Sequence, residues 1–402
     1  MSTAAHINSD LTAEIEAVLV DSPVKSGLPN ATYTSEEFIA VEQERVFAKN
    51  WTGIGFAKDV PTIGDVFPTV LNGQPLLIVR DTKKAVRVFH NVCSHRGAIL
   101  VDEPRNCKRI IKCPYHAWCY DLSGALRHTP CVGGPDTDTH EDVDMALYGL
   151  KEIRSHVFMD VVFVNLSGDA ESFEDQHRKL MQRWKLFVDV PLFHGGENST
   201  NEFTLDTNWK LAVENFCEAY HLPWVHPALN TYSRLEDHEN IAEYGSFAGQ
   251  RSNVYQPQLS RDGSHFPEIS GLPQEWHTGA EYIALFPNVL LMVHKDHYSA
   301  VIIQPDGPTK THERMELYYY DESCAGSDYE MLRRSNQTTW RTVFAEDVDI
   351  VQSMQRGRAS GGFRGGVLTP VMDTPTHCFH AWIAEALLDG DEAPRSASMA
   401  AE

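Results

Sequence analysis

Cys93-Ser94-His95 and Cys113-Pro114-Tyr115-His116 stand seventeen residues apart in this chain of 402 residues. One Cys and one His from each box supply two thiolates and two imidazoles. That donor set can hold a [2Fe–2S] cluster, with Cys93 and Cys113 on one iron and His95 and His116 on the other. Neutral imidazoles in place of two thiolates raise the reduction potential above that of an all-cysteine cluster. Zinc also accepts mixed Cys/His tetrahedra. Its usual arrangement groups Cys with Cys and His with His, whereas each box here mixes the two.

A second group of chemistry-bearing residues runs from Asn208 to Pro227 and contains Glu214, Asn215, Glu218, Tyr220, His221 and His226. On a helix Glu218 and His221 share a face. His226 falls about 140° further round an ideal helix, so an unbroken helix would splay the two imidazoles. Pro223 cannot sit in a helix interior without losing a backbone bond, so the helix is expected to end near His221. A turn through Trp224 would then bring His226 back. Two His and one carboxylate make the facial triad of a non-haem Fe(II) oxygenase, with positions left open for O2 and substrate.

Periodicity locates the carboxylate. Trp340, Val343, Phe344, Val351 and Met354 mark one face of a helix expected over residues 335–355. Asp347 falls on that stripe, whereas Asp349 and Glu346 lie off it. A carboxylate on a core-facing stripe needs a cation against its desolvation, either iron or a core arginine. With two His upstream, Asp347 is assigned as the third iron ligand.

These residues need elements to hold them. The boxes are expected at hairpin tips, over residues 91–97 and 113–124, where Gly97 and Gly124 admit backbone angles closed to other residues. The first fifty residues read as helical, Thr34 or Ser35 capping a stretch to about Lys49. Short β-rich runs follow to about Asn165, then a helix over residues 171–188 and further strands after residue 280. The expected fold class is α+β, an all-β [2Fe–2S] domain plus a helix-on-antiparallel-sheet catalytic domain. The expected organisation is a helical segment 1–48 packed on the catalytic domain, the cluster domain 49–166, the catalytic domain 167–388 and a disordered acidic tail 389–402. A length of 402 residues suits two domains.

The composition is that of a globular protein, 42% hydrophobic and 22% charged. A net charge of −22 argues against nucleic acid or an anionic membrane surface as partner. The opening residues lack a basic segment followed by an apolar core, and the apolar run 282–293 is interrupted by Pro287 and Asn288. Eight Cys without paired spacing fit a reducing cytoplasm, the expected location.

From about Tyr33 to Leu387 the chain resembles the catalytic α subunit of Rieske non-haem iron oxygenases. The resemblance rests on Cys93-x-His95, Cys113-x2-His116, Asn208-Trp209-Lys210, Glu214-Asn215, Glu218-x-Tyr220-His221-x4-His226, and Glu346-Asp347 followed by Gln355. It implies a Rieske cluster on the first two boxes and a mononuclear Fe(II) on His221, His226 and Asp347. It also implies a homotrimer in which Glu218 links His116 of a neighbouring copy to His221, with Asn215 beside the site. Glu218 stands where the naphthalene dioxygenase type usually has Asp, and the motif is more similar to the carnitine and glycine betaine monooxygenase type.

The implied activity is that of a terminal oxygenase. Electrons from NAD(P)H would come through a separate flavin/iron–sulfur reductase, because no convincing nucleotide-binding glycine motif is present. O2 would be used to hydroxylate or N-demethylate a small quaternary ammonium compound, betaine- or carnitine-like. Aromatic faces can hold such a cation. Trp224, Tyr282, Phe286, His294, His297 and Tyr298 are the expected pocket residues. Hydroxylation of an aromatic acid or related ring is the alternative substrate reading. A Rieske electron carrier would use the first boxes and leave the triad without a role.

Overall fold

The computed structural model describes residues 7–71 and 73–389, so the expected tail lies outside the described residues except for Asp389. The chain divides into two compact units, residues 49–194 and residues 7–48 with 195–389.

The first unit is built on antiparallel strands. They are β1 (Thr52–Phe56), β2 (Asp65–Leu71), β3 (Gln74–Arg80), β4 (Val86–His90) and β5 (Arg105–Asn106). Then come β6 (Ile110–Lys112), β7 (Cys119–Asp121), β8 (Leu126–His128), β9 (Glu152–Phe158) and β10 (Val161–Asn165). A seven-stranded sheet runs β1-β10-β9-β4-β3-β2-β5, and a three-stranded sheet runs β6-β7-β8. Val66, Leu77, Val79, Phe89, Ile111 and Trp118 form a core that also takes in Cys93 and Cys113, so the boxes grow out of packed strands.

Residues 167–194 cluster with these strands because Phe173 packs on Trp51, Phe158 and Phe163 at ring separations of 5.7, 5.4 and 4.8 Å. The helix expected over 171–188 is broken into Phe173–Gln176 and Arg178–Arg183. The break is at His177, whose φ of −107° and ψ of 18° are not helical.

In the second unit the helical start is shorter than expected: α1 (Ser9–Glu16) and α2 (Glu36–Glu42), the latter continuing as a π turn to Phe47. The unit is centred on β11 (Thr200–Leu205), β12 (His238–Glu243), β13 (Phe247–Ser252), β14 (Ala280–Leu285), β15 (Val289–Val293), β16 (His297–Pro305) and β17 (Thr311–Tyr319). These pair antiparallel in the order β11-β17-β16-β15-β14-β13-β12. Every residue of β14 and β15 is buried, which requires cover on both faces.

The further helices that position the site are α3 (Trp209–Cys217), α4 (Leu222–Val225), α5 (Glu330–Arg358) and α6 (Thr374–Leu388). Helix α3 packs on β14 and β16, α5 on α3 and β11, and α6 on β12 and β13. Asn208 caps α3, its Oδ1 accepting the Lys210 N–H at 3.1 Å. Gln355 of α5 fixes the same point, accepting the Asn208 N–H at 2.9 Å and donating to the Tyr33 carbonyl at 3.0 Å. Among the described residues no helix is long and apolar enough to cross a membrane.

Candidate metal centres

The two Cys–His boxes fold into matching turns. The Cys93 N–H donates to the Ala98 carbonyl and the Gly97 N–H to the Cys93 carbonyl, at 2.8 and 3.0 Å. Cys113 with Trp118, and Ala117 with Cys113, repeat this at 2.8 and 3.1 Å. The fifth residue of each turn is left-handed, Gly97 at φ 74° and Ala117 at φ 58°. The second turn therefore closes at Ala117, not at Gly124. Gly124 serves the next turn, where an added Cβ would meet Phe89 at 2.6 Å.

Both thiols are buried, whereas His95 is exposed and His116 partly so. The two imidazole rings lie 4.8 Å apart, and Trp118 stacks on His95 at 4.7 Å. Buried thiols beneath an outer pair of imidazoles suit a cluster with sulfur donors on its inner iron and nitrogen donors on its outer one. The Nδ1 of His116 is buried without a hydrogen-bond partner among the described residues, as a donor atom facing such a group would be. Tyr120 Oη lies 3.1 Å from Cys93 Sγ and 2.9 Å from Ser94 Oγ. Polar contacts of that kind tune a cluster's potential.

The second centre lies at the end of α3. The helix stops at Cys217, and Glu218 is already extended at φ −122°, ψ 157°, so it ends four residues before the expected His221. The reason is a competing cap, because Glu218 Oε2 accepts the His221 N–H at 3.2 Å and opens the following turn. Pro223 sits in the first turn of α4, where its missing N–H costs nothing. That turn returns His226 to His221, ring centroids 5.1 Å apart.

Helix α5 supplies the third group. His226 Nε2 and His221 Nε2 lie 3.0 and 3.7 Å from Asp347 Oδ1. Asp347 Oδ1 is itself buried and without a hydrogen bond of good geometry. The Nδ1 atoms point away, His221 to Glu218 at 2.7 Å and His226 to Glu346 at 2.8 Å. Two imidazoles held by carboxylates on one nitrogen, with the other turned toward Asp347, suit a divalent cation. Burial works to lower the His226 pKa, but Asp347 and Glu346 outweigh it and hold it raised. The position favours positive charge.

The stripe of α5 lies largely as periodicity placed it. Trp340, Phe344 and Val351 are buried and Asp349 is exposed, but Met354 is 37% exposed and off the core.

A cavity of about 700 Å³, its open mouth included, reaches the triad. Asn215, Phe216, Tyr282, Trp340 and Phe344 line it, as does Glu313 of β17. Of the six expected pocket residues only Tyr282 is among the lining. His294 and His297 stack on each other at 4.1 Å beside a second cavity with Tyr255 and Asp296. Phe286 packs on Phe379 and Trp382 of α6, at 5.2 and 5.3 Å. Tyr298 packs on Tyr318 at 5.8 Å, and Trp224 is 71% exposed. A sheet covered on both faces presents neighbouring residues to different surroundings.

The family model for the ring hydroxylating alpha subunit (catalytic domain) matches residues 172–389, more than half of the chain. The chain belongs to this family. The Rieske [2Fe–2S] domain matches residues 50–146 as well. The protein is thus an oxidoreductase that uses O2, and its cofactors are a Rieske cluster and a mononuclear iron.

Among its relatives is the carnitine monooxygenase oxygenase subunit of Acinetobacter pittii (strain PHEA-2). It is 26% identical over 352 residues, 84% of this chain and 86% of that one. The chloroplastic choline monooxygenase of Arabidopsis thaliana is 27% identical over 368 residues, 88% and 81% of the two chains. Two solved structures share the fold. A quaternary ammonium Rieske monooxygenase in complex with L-carnitine superposes with a TM-score of 0.72 at 22% identity, covering 94% of this chain and 99% of the other. Naphthalene 1,2-dioxygenase from Rhodococcus sp., bound to indole, gives 0.76 at 19% identity, covering 95% and 98%.

Three residues of this oxygenase escaped the sequence reading. Glu346 was visible only as the neighbour of Asp347, and Tyr120 carried no signal beyond its place after the second box. Glu313 lies in the polar run Thr311-His312-Glu313-Arg314, where nothing in the sequence separates a cavity-facing carboxylate from a solvent-facing one.

Proposed function

We propose that this chain is the terminal oxygenase of a multicomponent Rieske monooxygenase acting on a small quaternary ammonium compound, by hydroxylation or oxidative N-demethylation. The carrying observation is the convergence of His221, His226 and Asp347 on one point at the base of a cavity walled by Phe216, Tyr282, Trp340 and Phe344. Aromatic faces attract a cation whose methyl groups also need an apolar surround. The carnitine and choline monooxygenases among its relatives support the same substrate class.

When bound, the Rieske cluster and the mononuclear iron supply one-electron transfer and reduction of O2. Cys93, His95, Cys113 and His116 would hold the first, and His221, His226 and Asp347 the second. Glu218 and Glu346 orient the two His, each accepting an Nδ1–H so that Nε2 faces Asp347. The apolar walls exclude bulk water from the reacting carbon and so restrict side reactions. In a homotrimer Glu218 would join His221 to His116 of a neighbouring copy. A separate NAD(P)H-dependent reductase would deliver the electrons.

The test is NADH-driven oxygen uptake by the iron-loaded protein with a matched reductase, screening quaternary amines beside small aromatic acids. A product heavier by one oxygen, or formaldehyde with a demethylated amine, supports the proposal. A hydroxylated ring would move the enzyme to aromatic substrates, which the apolar walls could also take.

A further inference from the structure

Among the described residues Glu313 is the one acidic residue lining the cavity besides Asp347, and no lysine or arginine lines it. Its place is fixed by the sheet, since β17 pairs it with Phe203 of β11 and Ile303 of β16. The residue is only 6% exposed, and no described residue gives its carboxylate a hydrogen bond or an ion pair. Burial, and after it the charge of Asp347, push this carboxyl up to about 8, and a cation entering beside it offsets the cost of ionising it there. Most other polar groups of the wall are engaged: His238 meets Ser233 at 2.9 Å and also contacts Gln250.

Resting on the quaternary ammonium reading, we infer that Glu313 is the counterion of the substrate's cationic head and selects cations that carry no carboxylate of their own. A betaine or carnitine carboxylate would find no lysine or arginine in this wall among the described residues, and seating it beside Glu313 would bury a second carboxyl group without a cationic partner. An alcohol or alkyl remainder meets only apolar and neutral polar surface. The substrate class narrows from quaternary amines in general to choline-like cations, which differ by one group from the carnitine-like compounds suggested by motif.

Calorimetric binding to the iron-loaded holoenzyme under anaerobic conditions tests this, with three probes: choline, its neutral carbon isostere and glycine betaine. Wild-type protein should prefer choline to both others. Glu313→Gln should weaken choline at least about thirtyfold while leaving the neutral isostere unchanged or tighter. Glu313→Asp, which keeps the charge, should retain the preference for choline.

A wild-type preference for glycine betaine over choline would overturn the inference. So would a Glu313→Gln protein with full iron and cluster content and an unaltered choline preference. Loss of iron in Glu313→Gln with unaltered discrimination would assign the carboxylate to the charge balance of the metal and also overturn it. If wild-type protein does not distinguish choline from its neutral isostere, the quaternary ammonium reading itself fails.

Discussion

Glu346 Oε2 meets His226 Nδ1 at 2.8 Å, on the side of the ring opposite the 3.0 Å approach of Asp347 to Nε2. Consecutive residues of one helix thus address both nitrogens of one imidazole. A carboxylate on the far nitrogen fixes the tautomer and makes the near nitrogen a better donor. Glu346→Gln is expected to lower affinity for the mononuclear iron roughly 10–100-fold. Iron retention against a competing chelator would read this, with the visible absorption of the Rieske cluster as internal control.

Asp347→Ala should abolish binding of the mononuclear iron and turnover with it. The cluster's colour should persist, because Cys93 and Cys113 belong to the other compact unit. Loss of the cluster with the iron retained would show that Asp347 is not a ligand.

Glu218 does two jobs in one chain, capping the turn through the His221 N–H and holding His221 Nδ1. Glu218→Gln preserves the cap and should keep both metals. If Glu218 also links the two centres between subunits, this variant nearly loses coupled turnover while dithionite still reduces its cluster. Stopped-flow reoxidation of the reduced cluster with substrate and O2 separates the cases, since normal rates would sink the bridging role.

The sequence made the metal chemistry legible because ligand types and spacing are local facts. Asp347 was found from the 3.6-residue period of α5, since a half-buried helix writes its buried face into its sequence. The end of α3 was misplaced by four residues because it depends on a side chain, Glu218, competing for a backbone N–H. The cavity wall was mostly illegible. Strands β14 and β15 are buried along their whole length, so no alternation separates cavity-facing Tyr282 from a core residue such as Phe286 just beyond it.

Acid should destabilise the second unit through a buried group outside the metal centre. Glu214 of α3 lies 3.0 Å from His380 and 3.6 Å from Arg358, and Tyr33 Oη donates to it. Burial works to raise its carboxyl, but His380, Arg358 and Tyr33 prevail and hold it at about 2. The unfolded chain would titrate this group near pH ~4.3, so the unfolded state binds more protons between the two values. The contribution is therefore complete above the unfolded value and is lost as pH falls from there to about 2. A difference of that size corresponds to roughly 3 kcal/mol. Glu214→Gln should be less stable than wild type at pH 7, with the gap narrowing as the solution is acidified. Urea denaturation at a series of pH values reads this directly, and a gap independent of pH would mean that Glu214 contributes through packing and not through its charge.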